Sequence, residues 1–350
     1  MKTHYDYIFL TNTPSFYKLN LCNEIAKKYS LLLVFLGYGS EAVNEKLTAT
    51  HSYHFDVYFL NVGDVNDRNK ITVFLRLLHL MRNISTKKVL YSGWAIPEYN
   101  IFSFLCRKNK NVVICESTAW ESSMKGIKGL LKKLIISRMS AALPAGKPHR
   151  ELFERIGYRG AIHVTGGVGL INKGHRVSKT CINRKARCLY VGRLVEVKNV
   201  LALVQEFNRN GYQLTIAGSG QFETNLKSIA NSNIHFTGFI DNKKLGELYQ
   251  QHDVFILPST YEPWGLVVEE ALYWGLPVIV SDKVGCREDL VIPGVTGEVF
   301  PVANIEQMTS CLEKIISDYA YYADAVSAIK WDERQNAQLA AYFKLQSQEI

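Results

Sequence analysis

The sequence predicts an α/β protein built from two doubly wound, Rossmann-like domains that face a central cleft. Three observations carry this expectation. The length of 350 residues suits two domains of ordinary size. Short runs rich in Val, Ile and Leu alternate with longer stretches of helical spacing, the pattern of parallel strands covered on both faces. That alternation occurs twice, on either side of a glycine-rich, charged stretch without periodicity, Gly166–Lys185.

In the first half, Tyr7–Thr11, Leu31–Leu36, Val57–Leu60, Val89–Ser92 and Val112–Cys115 read as strands, and Leu19–Tyr29 and Ile71–Asn83 as helices. In the second half the strands are Cys188–Val191, Gln213–Ala217, Ile234–Phe236, Val254–Leu257 and Val278–Ser281. The expected division is 1–172, 173–335 and a final helix over 336–350 that returns to the first domain. Ligands of open α/β sheets bind at the carboxyl ends of strands, so the predicted site lies in the cleft.

Hydrophobic residues at 47% and charged residues at 21% match a globular chain and exclude disorder. The seven cysteines, Cys22, Cys106, Cys115, Cys181, Cys188, Cys286 and Cys311, form no CxxC pair and no zinc-spaced cluster. Free thiols in a reducing cytosol are expected. No secretory signal is legible, and no apolar run reaches the ~20 residues of a spanning helix. The net charge of +9 is uneven. Residues 1–172 carry 23 Lys and Arg against 12 Asp and Glu, a net +11; residues 173–350 carry 18 against 20, a net −2. Only the first half is therefore expected to face something anionic, unless the charge serves solubility alone.

The richest stretch is Pro258–Ser281, PSTYEPWGLVVEEALYWGLPVIVS. It reads as a loop after a strand, then a helix over Leu266–Trp274 that Gly275 stops. The backbone N–H groups at Gly265, Leu266 and Val267 form a helix N-terminus, which attracts anions, and Gly265 permits close approach of a phosphate. Glu262 and Glu270 bracket this turn and suit hydroxyl groups on either side of a diphosphate. Glu269 reads as structural or surface. In CLYVGRLVEVKN, Arg193 offers a planar fork and Lys198 a point charge for phosphate oxygens. Gly218, in IAGSG, allows the backbone near a ligand or near the cleft but completes no GxGxxG. Phe239, in HFTGFI, either meets a nucleobase or packs.

These motifs resemble the retaining GT-B glycosyltransferases of family 4, which include many bacterial enzymes of lipopolysaccharide, O-antigen and capsule assembly. The resemblance runs in order through LYVGRLVEVKN, LTIAGSG, IHFTGFI, DVFILPSTYEPWGLVVEEAL, GLPVIVSDKVG and GVTGEVF, and covers nearly all of residues 188–340. It implies that Arg193 and Lys198 bind the donor diphosphate, Glu262 the sugar hydroxyls and Glu270 the ribose, with the backbone of Trp264–Val267 on phosphate or sugar. The first half departs from the family. Its first loop, NTPSFYK, lacks the usual glycines, and NVVICESTAW places Glu116 where many members have a histidine. Gly166–Gly169 replaces an Asn-Gly-Val-Asp turn. Glu116 is either a sugar contact or a strand-end helix cap.

The resemblance implies transfer with retention, by front-face attack and without an enzymic nucleophile. No DxD motif is present, so positive side chains and the helix N-terminus are expected to act without a metal or other cofactor. The expected enzyme moves a sugar from a nucleotide-diphosphate sugar, UDP-sugar ahead of GDP-sugar, to a glycan or lipid-linked acceptor of cell-surface polysaccharide. The rivals are another GT-B enzyme, such as a phosphorylase or a sugar-nucleotide epimerase, and a non-catalytic basic binding protein. No nucleic-acid motif accompanies the basic half, and no nucleic-acid partner is expected.

The expected location is cytoplasmic, with peripheral attachment to the inner face of the cell membrane through Lys125–Met139, KGIKGLLKKLIISRM. On a helical wheel Ile127, Leu130, Leu131, Leu134 and Ile135 share one face, and Lys128, Lys132 and Lys133 lie away from it. Two uses fit that apolar face: packing on the sheet of its own domain, which the sequence favours, and contact with anionic lipid.

Overall fold

The computed structural model describes residues 2–39, 53–120, 126–177, 179, 182 and 185–347. Lys125 and Cys181 lie outside the described residues; the six described cysteines are free. The chain forms two compact units, Met1–Leu170 together with Asp332–Ile350, and Ile171–Trp331.

The first unit holds a seven-stranded sheet: β1 (Thr3–Thr11), β2 (Leu31–Phe35), β3 (Asp56–Phe59), β4 (Ile84–Ser92), β5 (Asn111–Cys115), β6 (Ala141–Pro144) and β7 (Ala161–Ile162). Its order is β3-β2-β1-β4-β5-β6-β7, and every pair is parallel. Alternate residues along each strand face opposite cores, which is why the strands read as continuous apolar runs. On one face Ile8, Leu10, Val89 and Val113 pack with Val73 and Leu77 of helix Lys70–Asn83, Tyr99 and Phe102 of helix Pro97–Leu105, and Ile136 of helix Gly126–Ser137. On the other, Phe9, Leu33 and Leu90 pack with Leu21 and Ile25 of helix Phe16–Ala26 and with Tyr342 and Leu345 of helix Trp331–Ser347. That last helix is tied to β1 by the Tyr7 hydroxyl, which donates to the Tyr342 carbonyl at 2.6 Å.

The second unit repeats the plan with six parallel strands: β8 (Arg187–Val191), β9 (Gln213–Ala217), β10 (Ile234–Gly238), β11 (Val254–Leu257), β12 (Val278–Ser281) and β13 (Gly297–Phe300). Their order is β10-β9-β8-β11-β12-β13.

Three strands were not legible as such. β6 is Ala-rich, β7 has two residues and β13 opens on glycine, and all three compositions disfavour an isolated strand. They form because a neighbour supplies the ladder: Ala141 pairs with Val112, and Gly297 with Val278. The unit boundary falls at Leu170/Ile171, and the final helix starts at Trp331, five residues before the expected 336.

One expectation is reversed. Of the predicted stripe on helix Gly126–Ser137, Ile127, Leu130, Leu131 and Leu134 do not pack on the sheet, and only its edge residue Ile135 packs against the core. The buried positions of that helix are Gly129 and Ile136, on its opposite side, and Ile127 and Leu130 are 80% and 70% exposed. A glycine at the contact lets the helix approach through its narrow side, leaving the broad apolar stripe outward.

Candidate functional site

In the second sheet the strand order reverses between β8 and β11, the place where an open α/β sheet leaves a crevice at its carboxyl edge. Loop Gly192–Asn199 leaves β8 there, and loop Pro258–Gly265 leaves β11. The two loops are pinned to each other: the Thr260 N–H donates to the Val197 carbonyl at 2.9 Å. This contact carries Lys198 to Glu262, and their side chains form an ion pair with little exposure. Asn199, at φ 55°, then turns the chain left-handed into helix Val200–Asn210, a conformation Asn tolerates.

Gly265 precedes helix Leu266–Tyr273 at φ 101°. A Cβ there would be strained and would sit 3.0 Å from Val284 and 3.2 Å from the Cys286 sulfur. The Glu262 N–H donates to the Lys283 carbonyl at 3.2 Å, and the Cys286 N–H to the Trp264 carbonyl at 2.7 Å, so the loop after β12 fixes this turn. The first-turn N–H groups of a helix have no intrahelical acceptor, and Leu266 and Val267 supply them here, half-buried.

Arg193 is exposed at the end of β8, and the Tyr190 hydroxyl donates to its carbonyl at 3.0 Å. Gly218 follows β9; a Cβ there would lie 1.9 Å from the Gly192 carbonyl oxygen, so the approach of two backbone loops requires this glycine. Phe239 follows β10 with its ring 58% exposed. The structure thus brings Arg193, Lys198, Gly218, Phe239, Glu262 and Gly265–Val267 to the carboxyl edge of one sheet.

Glu270 is placed differently. It is 4% exposed within its helix and accepts from the Tyr249 hydroxyl at 3.1 Å. Burial pushes its carboxyl up to about 8, the Tyr249 hydrogen bond works against that rise, and the neighbouring Glu269 adds to it. Glu269 is buried too and accepts from the Trp264 indole N–H at 3.2 Å. Its role here is structural: it anchors the Trp264 side chain and with it the site loop.

Glu116 lies in the first unit, just past β5, and pairs with Lys18 of helix Phe16–Ala26 at 3.3 Å. Burial is the largest influence on the Lys18 ammonium and works against it, but the charge and hydrogen bond of Glu116, together with Tyr17 and Cys22, outweigh it and hold the pKa above the ordinary lysine value. Helix Phe16–Ala26 is held close to the Gly166–Gly169 turn: the Leu170 N–H donates to the Tyr17 carbonyl at 2.9 Å, and a Cβ on Gly169 would lie 2.5 Å from that oxygen. Lys18 was missed from sequence. Its only signal is the basic end of the glycine-free loop NTPSFYK.

Among the described residues no group of three or more His, Cys, Asp or Glu is placed to hold a metal ion. Chemically, the edge of the second sheet offers two cations and a helix N-terminus to an anion, with Glu262 as an acceptor for hydroxyl groups beside it.

A family model described as "Glycosyl transferases group 1" matches residues 175–331. An uncharacterized glycosyltransferase of Methanocaldococcus jannaschii is 31% identical over 153 residues, 41% of this chain and 39% of that protein. A GDP-mannose-dependent alpha-mannosyltransferase of Mycobacterium tuberculosis is 35% identical over 135 residues, 38% of this chain and 35% of that protein. The chain therefore spans under two-fifths of the length of these relatives. Among solved structures, a lipopolysaccharide outer core galactosyltransferase in its apo form superposes with a TM-score of 0.72 at 15% identity, covering 98% of this chain and all of the other. An Anabaena protein in complex with UDP and glucose gives 0.69 at 17%, covering 99% and 98%. These likenesses show the fold. The second unit thus matches the group 1 glycosyl transferase model over 175–331, in a chain whose two parallel sheets make the GT-B fold.

Proposed function

We propose that the protein is a retaining glycosyltransferase of family 4 that moves a sugar from a nucleotide-diphosphate sugar to a glycan or lipid-linked acceptor in cell-surface polysaccharide synthesis. The observation that carries this reading is the convergence of Arg193, Lys198, Glu262 and the Gly265–Val267 helix start on the carboxyl edge of the second sheet. Arg193, Lys198 and the helix N-terminus take the diphosphate and stabilise its growing charge as it leaves, in place of a metal or other cofactor. Lys198 has three N–H donors, so it can hold Glu262 and a phosphate oxygen together. Glu262 accepts from the donor sugar's hydroxyls and Glu270 from the ribose. Phe239 stacks on the base, and Trp264 contributes its backbone. Glu116 contacts the sugar, its carboxylate oriented by Lys18.

A UDP-sugar is favoured over a GDP-sugar. In support, an Anabaena neighbour of the same fold is described bound to UDP-glucose; the GDP-mannose-dependent relative makes GDP-sugars the first competitor. A related protein of 27% identity is encoded in a Klebsiella pneumoniae cps region, which favours the polysaccharide assignment. No helix among the described residues is long and apolar enough to cross a membrane. The reading puts the enzyme in the cytoplasm, with its first unit peripheral on the inner face of the cell membrane.

The test is transfer from UDP- and GDP-sugars to lipid-linked and free glycan acceptors, with the product's anomeric configuration read by NMR. An α-linked donor should give an α-linked product. A β-linked product would overturn retention. Sugar phosphate formed from glycan and inorganic phosphate would instead favour the phosphorylase reading.

A further inference from the structure

The apolar stripe of helix Gly126–Ser137 is one part of a larger surface. Helices Lys70–Asn83, Pro97–Leu105 and Gly126–Ser137 cover the same face of the first sheet. Their outward sides leave Ile71, Leu75, Ile101, Leu105, Leu130 and Leu134 more than half exposed. The three helices are linked side by side. Arg68, just before the first, pairs with Glu98 of the second at 2.8 Å; Arg138, just after the third, donates to the Cys106 carbonyl at 3.2 Å and lies over the Phe104 ring at 5.7 Å. An exposed apolar area spread over three neighbouring helices marks an interaction surface.

On the three helices themselves the exposed charge is of one sign. Lys70, Arg76, Arg82, Lys128 and Lys133 are exposed on these helices, and Arg107 and Lys108 follow the second. The only carboxylate on the three helices is Glu98, which is 2% exposed and paired with Arg68. Beside the third helix lies a cavity of about 640 Å³ lined by Lys108, Lys133 and Arg159, together with Ile136 and Tyr158. No carboxylate lines it.

We infer that this three-helix face docks on an anionic lipid bilayer, with the exposed Ile and Leu side chains entering the headgroup boundary and the cationic cavity receiving a lipid phosphate. Apolar side chains ringed by lysine and arginine are what such an interface requires, because each enters its preferred layer. A second copy of this chain is a poor occupant: pairing the face with itself would set cation against cation with no carboxylate between them. This inference deepens the peripheral location proposed above, but the lipid contact does not depend on the transferase assignment.

The experiment is sedimentation of the full chain with vesicles of phosphatidylcholine alone and of phosphatidylcholine with phosphatidylglycerol. Binding should need phosphatidylglycerol and weaken with salt. Leu130→Glu/Leu134→Glu and Lys128→Glu/Lys133→Glu alter exposed positions only, so both should fold, as circular dichroism checks. Each should reduce vesicle partition roughly tenfold or more. Wild type that stays in the supernatant with anionic vesicles at low salt overturns the inference. So does binding that is indifferent to phosphatidylglycerol or unchanged in both variants. A dimer that Leu130→Glu/Leu134→Glu disperses, without vesicle binding, would assign the face to a second copy instead. Donor binding, followed separately by thermal shift in the same proteins, reports on the second unit and should be unaffected by either variant.

Discussion

Lys198, in the loop after β8, forms an ion pair with Glu262, in the loop after β11, across the point where the second sheet reverses its strand order. Each group already has its counter-charge at hand, at the carboxyl edge of the second sheet. A diphosphate arriving there adds an acceptor to a cation that is in place, and a sugar hydroxyl adds a donor to a carboxylate that is in place.

Loss of Lys198 or Arg193 should therefore fall on the phosphates. Charged hydrogen bonds contribute about 1.5–3 kcal/mol each, so Lys198→Met and Arg193→Ala are each expected to lower kcat/KM for the donor tenfold or more. The affinity for a free nucleoside should hardly change. Equal losses for nucleoside and sugar nucleotide, measured by calorimetry, would remove the phosphate role.

Glu262→Ala and Glu270→Ala should differ in kind. In the proposed reading Glu262 stands at the reacting sugar, so its loss should mainly lower kcat. In the same reading Glu270 grips the remote ribose, so its loss should mainly raise KM. Steady-state kinetics on folded variants decide, and near-normal values for both would remove these residues from the site.

The Glu270 carboxyl, pushed up to about 8 by burial, makes stability depend on pH. Between its unfolded value near 4.5 and about 8 the folded protein holds a proton that the unfolded chain has lost. Its contribution is fully present below 4.5 and is lost as pH rises through about 8. Glu270→Gln removes this loss, so its stability should gain on wild type as pH climbs from 5 to 8, by at most ~1.4 kcal/mol per pH unit, which is read as a melting-temperature difference that grows with pH. A constant difference across that range would contradict the buried, protonated carboxyl.

Chelation should leave activity in place. If Arg193, Lys198 and the helix N-terminus hold the leaving diphosphate as proposed, excess EDTA is expected to cost less than about twofold, against the orders of magnitude that removing a required Lewis acid costs. Complete loss restored by Mg²⁺ or Mn²⁺ would show that the diphosphate is held by a cation instead.

Much of this was legible in the order of residues, and the failures have physical causes. Buried parallel strands announce themselves as Val, Ile and Leu runs, whereas β6 and β13 exist because their neighbours supply hydrogen bonds. Arg193, Lys198, Glu262 and Gly265 sit on short loops whose spacing is itself the signal. Lys18 carries no such signal, since its meaning comes from Glu116, which the fold delivers from a distant strand end. Glu269 shows its structural purpose only through the Trp264 indole it accepts from. The helical wheel of Gly126–Ser137 defined an apolar stripe correctly but held no information on which way it turns; Gly129 and Ile136 settled that by taking the sheet side.

The central claim is that the second unit binds a nucleotide-diphosphate sugar through Arg193 and Lys198. It is tested most directly by thermal shift of the full chain against UDP-, GDP- and ADP-sugars, in wild type and in Arg193→Ala/Lys198→Met. A ligand at a hundred times its Kd stabilises the native state by about 2.7 kcal/mol. At least one sugar nucleotide, a UDP-sugar first, should therefore raise the wild-type melting temperature by several degrees and leave the double variant unmoved. No shift with any of them at millimolar concentration, or an equal shift in the double variant, would contradict the account.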